Sequence, residues 1–200
     1  MEAGYQVVLF DHAGHGMSEG REASLVHFMR GLDAVVRHVE SGGAVVKGFV
    51  AHSLGAAATG AWLNENGRDV RVVLVAPPTS LERYSSYFAS RLGIAEPVRR
   101  AMQARFERTL GYSWNEFELP QSVARVRAKA LVIHDKDDRD VSIAAGRALA
   151  RAWNDARIVE TEGLGHRAIL RDPQVARDAA DFITGEVVFP APAFTPAAIA

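Results

Sequence analysis

Short runs of β-branched residues alternate along this chain with longer segments whose apolar residues recur every three or four positions. The predicted strands span residues 5–10, 44–51, 71–76, 130–134 and 156–161. Alternation of this kind is typical of strand–helix units around a parallel sheet. The run at 71–76 is apolar throughout, which indicates that helices cover both faces of the sheet. The sequence therefore predicts an α/β fold with a mostly parallel sheet flanked by helices.

One segment interrupts this rhythm. Residues 79–128 are rich in aromatic residues and arginine and contain no predicted strand, so we expect an inserted helical cap whose arginines lie on a solvated face. Residues 1–78 and 129–186 then form the α/β core. Residues 187–200 are rich in proline and alanine and have no periodicity, and we expect a loosely ordered tail there.

Composition restricts the partners of the chain. It has 200 residues, of which 48% are apolar, enough for one domain with a real core. A net charge of -1 argues against nucleic acid or an anionic membrane as the main partner. The absence of cysteine excludes a disulfide, a thiolate metal site and a Cys nucleophile. No apolar run reaches the ~18 residues of a membrane helix, and no leader is visible, so we expect a cytoplasmic protein.

The segment Phe49-Val-Ala-His-Ser-Leu-Gly55 joins a predicted strand directly to a predicted helix. A serine in so sharp a turn projects its hydroxyl from the sheet edge, provided that the residues two positions before and after it are small. Ala51 and Gly55 meet that condition, so Ser53 is the candidate nucleophile. The backbone N–H of Leu54, at the start of the helix, is a candidate oxyanion donor. The alternative is that the Ser53 side chain only caps the helix.

A serine hydroxyl is a poor nucleophile at neutral pH and needs a base, which in turn needs an orienting acid. The residues after the strand at 130–134 include four aspartates, at the end where open parallel sheets place their sites. They are Asp135, Asp137, Asp138 and Asp140. His166 follows the next strand in a loop with two glycines and is the candidate general base, with a surface histidine as the alternative. Nucleophile, acid and base thus follow one another in that order.

These motifs resemble, in type and in order, those of the α/β-hydrolase superfamily, specifically its small bacterial serine hydrolases with a short helical cap. Residues 10–18 are similar to the family's strand-four loop, and residues 51–55, 134–138 and 165–166 to its elbow, acid loop and histidine loop. The resemblance covers nearly all of residues 4–185. It implies a triad of Ser53, Asp138 and His166, because the family's acid lies four residues after a strand-end histidine. Ala51 and Asp135 stand where the family usually has glycine.

The resemblance also shows a difference. In the family, three strands precede the one that residues 5–10 match, and the third of them lies between that strand and the strand leading to the nucleophile. A His-Gly loop after it supplies a second oxyanion N–H. We therefore expect a chain N-terminally truncated relative to the family, whose sheet lacks the first strands. The unfilled position would leave backbone groups unpaired and an apolar cleft open, unless two strands close up across the gap.

The sequence thus predicts a serine hydrolase that cleaves a carboxylic ester or related acyl substrate through an acyl-enzyme. The predicted reaction needs no cofactor, and no spacing of histidine and carboxylate residues indicates a metal site. The expected partner is a small acyl compound, and the oligomeric state stays open. The sequence also leaves open whether the chain cleaves a thioester or a C–C bond, or transfers an acyl group, because the cap and the pocket determine substrate choice. The alternative functions are an inactive fragment that acts at most as a binding module, and a nucleotide-binding domain.

Overall fold

Four parallel strands form the sheet of the computed structural model, which describes residues 4–186. They are β1 (Gly48–His52), β2 (Arg71–Val75), β3 (Lys129–Asp135) and β4 (Ala156–Thr161), and they lie side by side in that order. The predicted α/β fold with a mostly parallel sheet is therefore confirmed. The expected tail at 187–200 lies outside the described residues.

Eight α-helices follow from the periodic segments and their caps. They are α1 (Leu25–Ser41), α2 (Leu54–Asn66), α3 (Leu81–Arg91), α4 (Glu96–Leu110), α5 (Leu119–Ser122), α6 (Ile143–Ala152), α7 (Gly165–Ala168) and α8 (Pro173–Thr184) within residues 4–186. Ser24 caps α1 by accepting the N–H of His27, and Asp172 caps α8, which begins at Pro173.

The central strands β2 and β3 are buried on both faces, as their apolar sequences predict. Val72 and Leu74 of β2 face a core formed with α1, α2 and α6, whereas Val73 and Val75 face a smaller core formed with α8. All four side chains are almost completely buried. The sheet is thus the middle of three layers, and the carboxyl ends of its strands meet at one edge.

The prediction of a strand at residues 5–10 is wrong. These residues form no ladder, and together with β1 they line an apolar cleft of about 630 Å³. A strand needs a hydrogen-bonded neighbour. Within the described part of the chain, β1 pairs only with β2. The cleft lies between the outer edge of β1 and residues 5–10, so no ladder forms between them. For the same reason β1 starts at Gly48, four residues later than the apolar run at 44–51 suggests.

Residues 79–128 contain α3, α4, α5 and two short 3-10 turns, with no strand among them. Arg99 departs from the expected solvated face: its side chain is 3% exposed and binds the carboxylates of Glu82 and Glu96. Its guanidinium also lies 5.8 Å from the ring centroid of Trp114, so it joins α3, α4 and the following turn. Among residues 4–186, no helix is long and apolar enough to cross a membrane.

Candidate active site

Ser53 occupies the turn between β1 and α2 with a strained backbone. Its φ is 52° and its ψ is -126°, a conformation that residues other than glycine rarely adopt. The ladder holds the turn in place, because the N–H of Ser53 donates to the carbonyl of Val75 at 2.9 Å. The Ser53 side chain makes no capping bond to α2, so capping does not explain this residue.

The three residues that the sequence predicts as a triad lie together at the carboxyl edge of the sheet. Nε2 of His166 is 2.9 Å from Oγ of Ser53, and Nδ1 of His166 is 2.7 Å from Oδ2 of Asp138. The carboxylate of Asp138 can only accept, so Nδ1 carries the proton and Nε2 is free to accept the proton of the hydroxyl. The imidazole is 10% exposed and the carboxylate is not exposed at all.

Asp138 is held as a charged carboxylate. Burial alone would raise its pKa, but hydrogen bonds from His134, His166 and the backbone N–H groups of Val141 and Asp140 outweigh burial and hold the pKa well below its usual range. Both backbone bonds measure 2.8 Å. The carboxylate is therefore ionised at neutral pH and oriented from several sides.

The other three aspartates of the cluster do different things. Asp135 is fully buried and accepts hydrogen bonds from the histidine loop, while Asp137, which is exposed, accepts the N–H of Gly163 at 2.9 Å. Asp140 is exposed and contributes its backbone N–H to Asp138. Of the four, Asp138 is the one whose carboxylate contacts the imidazole of His166.

His52 contributes to the site in a way that the sequence analysis missed. Its Nε2 lies 2.9 Å from the carbonyl oxygen of His166, which can only accept, so His52 donates that bond. Burial lowers the pKa of His52, because a low-dielectric environment disfavours the charged ring. The elbow thus holds the backbone of His166 directly, a contact between residues 114 positions apart that no local pattern indicates.

Tyr84, on α3, lies beside Ser53. The Tyr84 hydroxyl lies near the side chain of Ser53, and burial raises its pKa, which keeps the phenol neutral. One turn further along α3, the hydroxyl of Tyr87 donates to the carbonyl of Arg139 at 2.8 Å, which ties this helix to the acid loop.

The small residues around Ser53 do not have equal roles. Leu54 is the first residue of α2, so its N–H lies at the helix N-terminus beside Ser53, where the oxyanion donor was predicted. A Cβ at Gly55 would meet no atom within 4 Å, because this residue lines the cleft. The expected crowding two positions after the nucleophile is therefore absent at Gly55. Among residues 4–186, no group of three or more histidine, aspartate or glutamate side chains could hold a metal ion.

The sequence is similar to a known protein family over more than half of its length. The family model for serine aminopeptidase, S33 (Hydrolase_4) matches residues 1–119. No curated protein matches the sequence.

Several solved structures resemble most of this fold. A monoacylglycerol lipase from Paleococcus ferrophilus is 20% identical with a TM-score of 0.67, over 93% of this chain and 86% of that one. An α/β-fold family hydrolase from Bacillus anthracis is 11% identical with a TM-score of 0.61, over 88% and 80%. The esterase domain of a Rhodothermus marinus protein is 19% identical with a TM-score of 0.56, over 79% and 66%. At these identities the likeness extends to the fold.

Proposed function

The chain belongs to the serine aminopeptidase, S33 family of α/β-hydrolases, and from this membership and the site geometry we propose that it is a serine hydrolase acting on a carboxylic ester or related acyl compound. The observation that carries the proposal is the pair of contacts made by His166, to Oγ of Ser53 at 2.9 Å and to Oδ2 of Asp138 at 2.7 Å. Each contact has the length of a direct hydrogen bond, and both use the same ring.

In the proposed reaction, Oγ of Ser53 attacks the carbonyl carbon while its proton passes to Nε2 of His166. Asp138 stabilises the imidazolium that forms, and the N–H of Leu54 faces the developing negative oxygen. Collapse of the tetrahedral intermediate breaks the bond to the leaving group, which takes the proton from His166. Water, activated by the same imidazole, then releases the acyl group as a carboxylic acid and restores the Ser53 hydroxyl.

Two features favour this proposal over a pure binding module or a nucleotide-binding domain. The strained backbone of Ser53 costs about 1–3 kcal/mol, a cost that a binding surface does not require. The buried and ionised Asp138 is likewise expensive to keep without a cationic or hydrogen-bonding partner. Both features are accounted for if Ser53 must present its hydroxyl to a base oriented by Asp138.

The proposal is tested with p-nitrophenyl esters of increasing acyl length, assayed beside aminoacyl p-nitroanilides. We expect hydrolysis of at least one ester, and loss of that activity in Ser53→Ala. Removal of one of two oxyanion donors lowers a rate about 10²- to 10³-fold, so the assay includes incubations long enough to detect slow turnover. Ester hydrolysis that persists unchanged in Ser53→Ala would contradict the proposal, as would no hydrolysis of any ester by folded protein. Preference for an anilide over every ester would move the substrate from esters to peptides.

A further inference from the structure

Asp135 is a buried carboxylate to which the proposed reaction gives no task. It ends β3, and its side chain is completely buried. A buried ionised carboxylate is costly unless hydrogen bonds satisfy its oxygens. Its bonding partners therefore indicate what it is for.

The carboxylate of Asp135 receives four hydrogen bonds. Oδ1 accepts the backbone N–H groups of Asp137 and Gly165, both at 2.9 Å. Oδ2 accepts the hydroxyl of Thr161 at 2.7 Å and the N–H of Leu164 at 3.1 Å. The same two oxygens thus bind the acid loop, the end of β4 and the two residues that precede His166.

These bonds favour the charged form of Asp135. Burial would raise its pKa, but the bonds from Thr161, Gly165, Leu164 and Asp137 outweigh burial, and the pKa is lowered. Charge-assisted hydrogen bonds to a carboxylate are stronger than bonds between neutral groups. An asparagine side chain could not replace the Asp135 carboxylate, because its NH₂ group is itself a donor and would face backbone N–H donors.

Resting on the proposed function above, we propose that Asp135 is a positioning residue that holds the His166 loop at the distance needed for proton transfer. Gly165 adjoins His166 and has a φ of 65°, so the chain turns sharply just where Asp135 binds it. The acid loop is bound by the same carboxylate, so Asp138 and His166 are set relative to one another. Asp135 contacts neither Ser53 nor the acyl group. It acts by fixing the position of the His166 imidazole.

The test compares Asp135→Asn with Asp137→Asn in the full chain. Asp137 is a matched control, because its carboxylate also binds this loop, through Gly163, but is exposed. For Asp135→Asn we expect kcat on the best ester to fall about 10- to 100-fold with KM changed less than about threefold, since a displacement near 1 Å can cost about 10²-fold. For Asp137→Asn we expect both constants within about threefold of the unchanged protein.

A second readout does not depend on turnover. The proton on Nδ1 of His166, in a 2.7 Å bond to Asp138, should give a downfield ¹H NMR resonance that is assigned by its loss in His166→Ala. We expect this resonance to shift or broaden in Asp135→Asn and to stay in place in Asp137→Asn. An unchanged resonance and an unchanged kcat in folded Asp135→Asn would overturn the inference while leaving the hydrolase proposal intact. If the unchanged protein hydrolyses nothing, the hydrolase proposal fails and the resonance alone decides the role of Asp135.

Asp135→Asn could also fail to fold, which circular dichroism at the assay temperature would reveal. In that case Thr161→Val decides by the same two readouts, because it removes one donor to Asp135 and leaves the charge in place. We expect a smaller fall in kcat, about twofold to tenfold, and a displaced His166 resonance. No change in either quantity would overturn the proposal.

Discussion

The two sides of the candidate active site are built differently. The closed side comprises β3, β4, α6 and the loops at 136–142 and 162–168, and its buried carboxylates, Asp135 and Asp138, are saturated with hydrogen bonds. The open side comprises residues 4–10, residues 44–47 and β1, which line the cleft of about 630 Å³. There Leu9 is 89% exposed and Val50 is 61% exposed.

This difference indicates which side determines catalytic geometry. On the closed side, the hydrogen bonds of Asp135 and Asp138 join the acid loop to His166, so a change in either buried carboxylate is transmitted to the imidazole. On the open side, an exposed side chain such as that of Leu9 or Val50 can change without displacing a neighbour, because few atoms are packed against it. We therefore expect substitutions of buried side chains on the closed side to have large effects, and substitutions of exposed side chains on the open side to have small effects.

The largest expected effect is on kcat and comes from the acid. Asp138→Asn keeps the shape of the side chain but removes the negative charge that fixes the imidazole tautomer, and kcat should fall about 10³- to 10⁴-fold. Asp140→Asn is the control, because that carboxylate is exposed and contacts Asp138 through its backbone alone. Steady-state kinetics on the best ester would measure both. Equal losses in the two variants would mean that another carboxylate orients His166.

Two helical glycines allow a direct comparison, because Gly146 lies in α6 on the closed side and Gly55, in α2, lines the cleft of the open side. A Cβ at Gly146 would lie 2.5 Å from Nδ1 of the buried His134, whereas a Cβ at Gly55 would meet nothing within 4 Å. Alanine favours the helix by about 1 kcal/mol at either place. Gly55→Ala should therefore raise the free energy of unfolding by about 0.5–1 kcal/mol, while Gly146→Ala should lower it by about 1–3 kcal/mol through overpacking. Urea denaturation followed by circular dichroism measures both, and equal shifts would show that the sides do not differ in packing.

Acid should act mainly on the closed side. The pKa of Asp138 is lower in the folded chain than in the unfolded one, so its contribution to stability is present above the unfolded pKa and is lost as the pH falls below about 4 toward the folded pKa. The unfolding free energy of Asp138→Asn should consequently fall less between pH 5 and pH 2 than that of the unchanged protein. Parallel pH profiles for the two proteins would show that Asp138 is not held in its charged form.

The smallest expected effect concerns the turn that both sides share. Glycine adopts a positive φ without the strain that Ser53 carries at 52°. Ser53→Gly and Ser53→Ala both lack the hydroxyl, so both should be inactive, but the glycine variant should be about 1 kcal/mol more stable. Thermal unfolding of the two variants tests this. A glycine variant that is no more stable than the alanine variant would mean that the turn stores no strain.

The parts of the site that lie within single loops could be predicted from the sequence. Ser53, Asp138 and His166 each follow the carboxyl end of a strand within a few residues, so the parallel sheet brings them to one edge. The contacts from His52 to the backbone of His166 and from Asp135 to Gly165 join distant residues, and no spacing indicates them. These two contacts can be recognised only in the folded structure, where the strand ends and the His166 loop lie side by side.

The error at residues 5–10 has the same physical origin. The apolar run at these residues is genuine, but a strand exists only through its ladder, and the cleft beside β1 supplies no partner for them. The burial of Arg99 was likewise invisible from the sequence, because its carboxylate partner Glu82 lies on another helix. The local sequence pattern thus predicted most helices and strands. Strand pairing and the burial of Arg99 depended on neighbouring elements that the local pattern does not contain.

The most direct test of the central claim is covalent labelling of the folded chain with a fluorophosphonate, followed by intact-mass measurement and peptide mapping. Such a probe reacts with a serine hydroxyl that a neighbouring base activates. We predict one label per chain, located on Ser53, and its loss in Ser53→Ala and His166→Ala. A folded chain that takes up no label, or a label that persists in Ser53→Ala, would contradict the account.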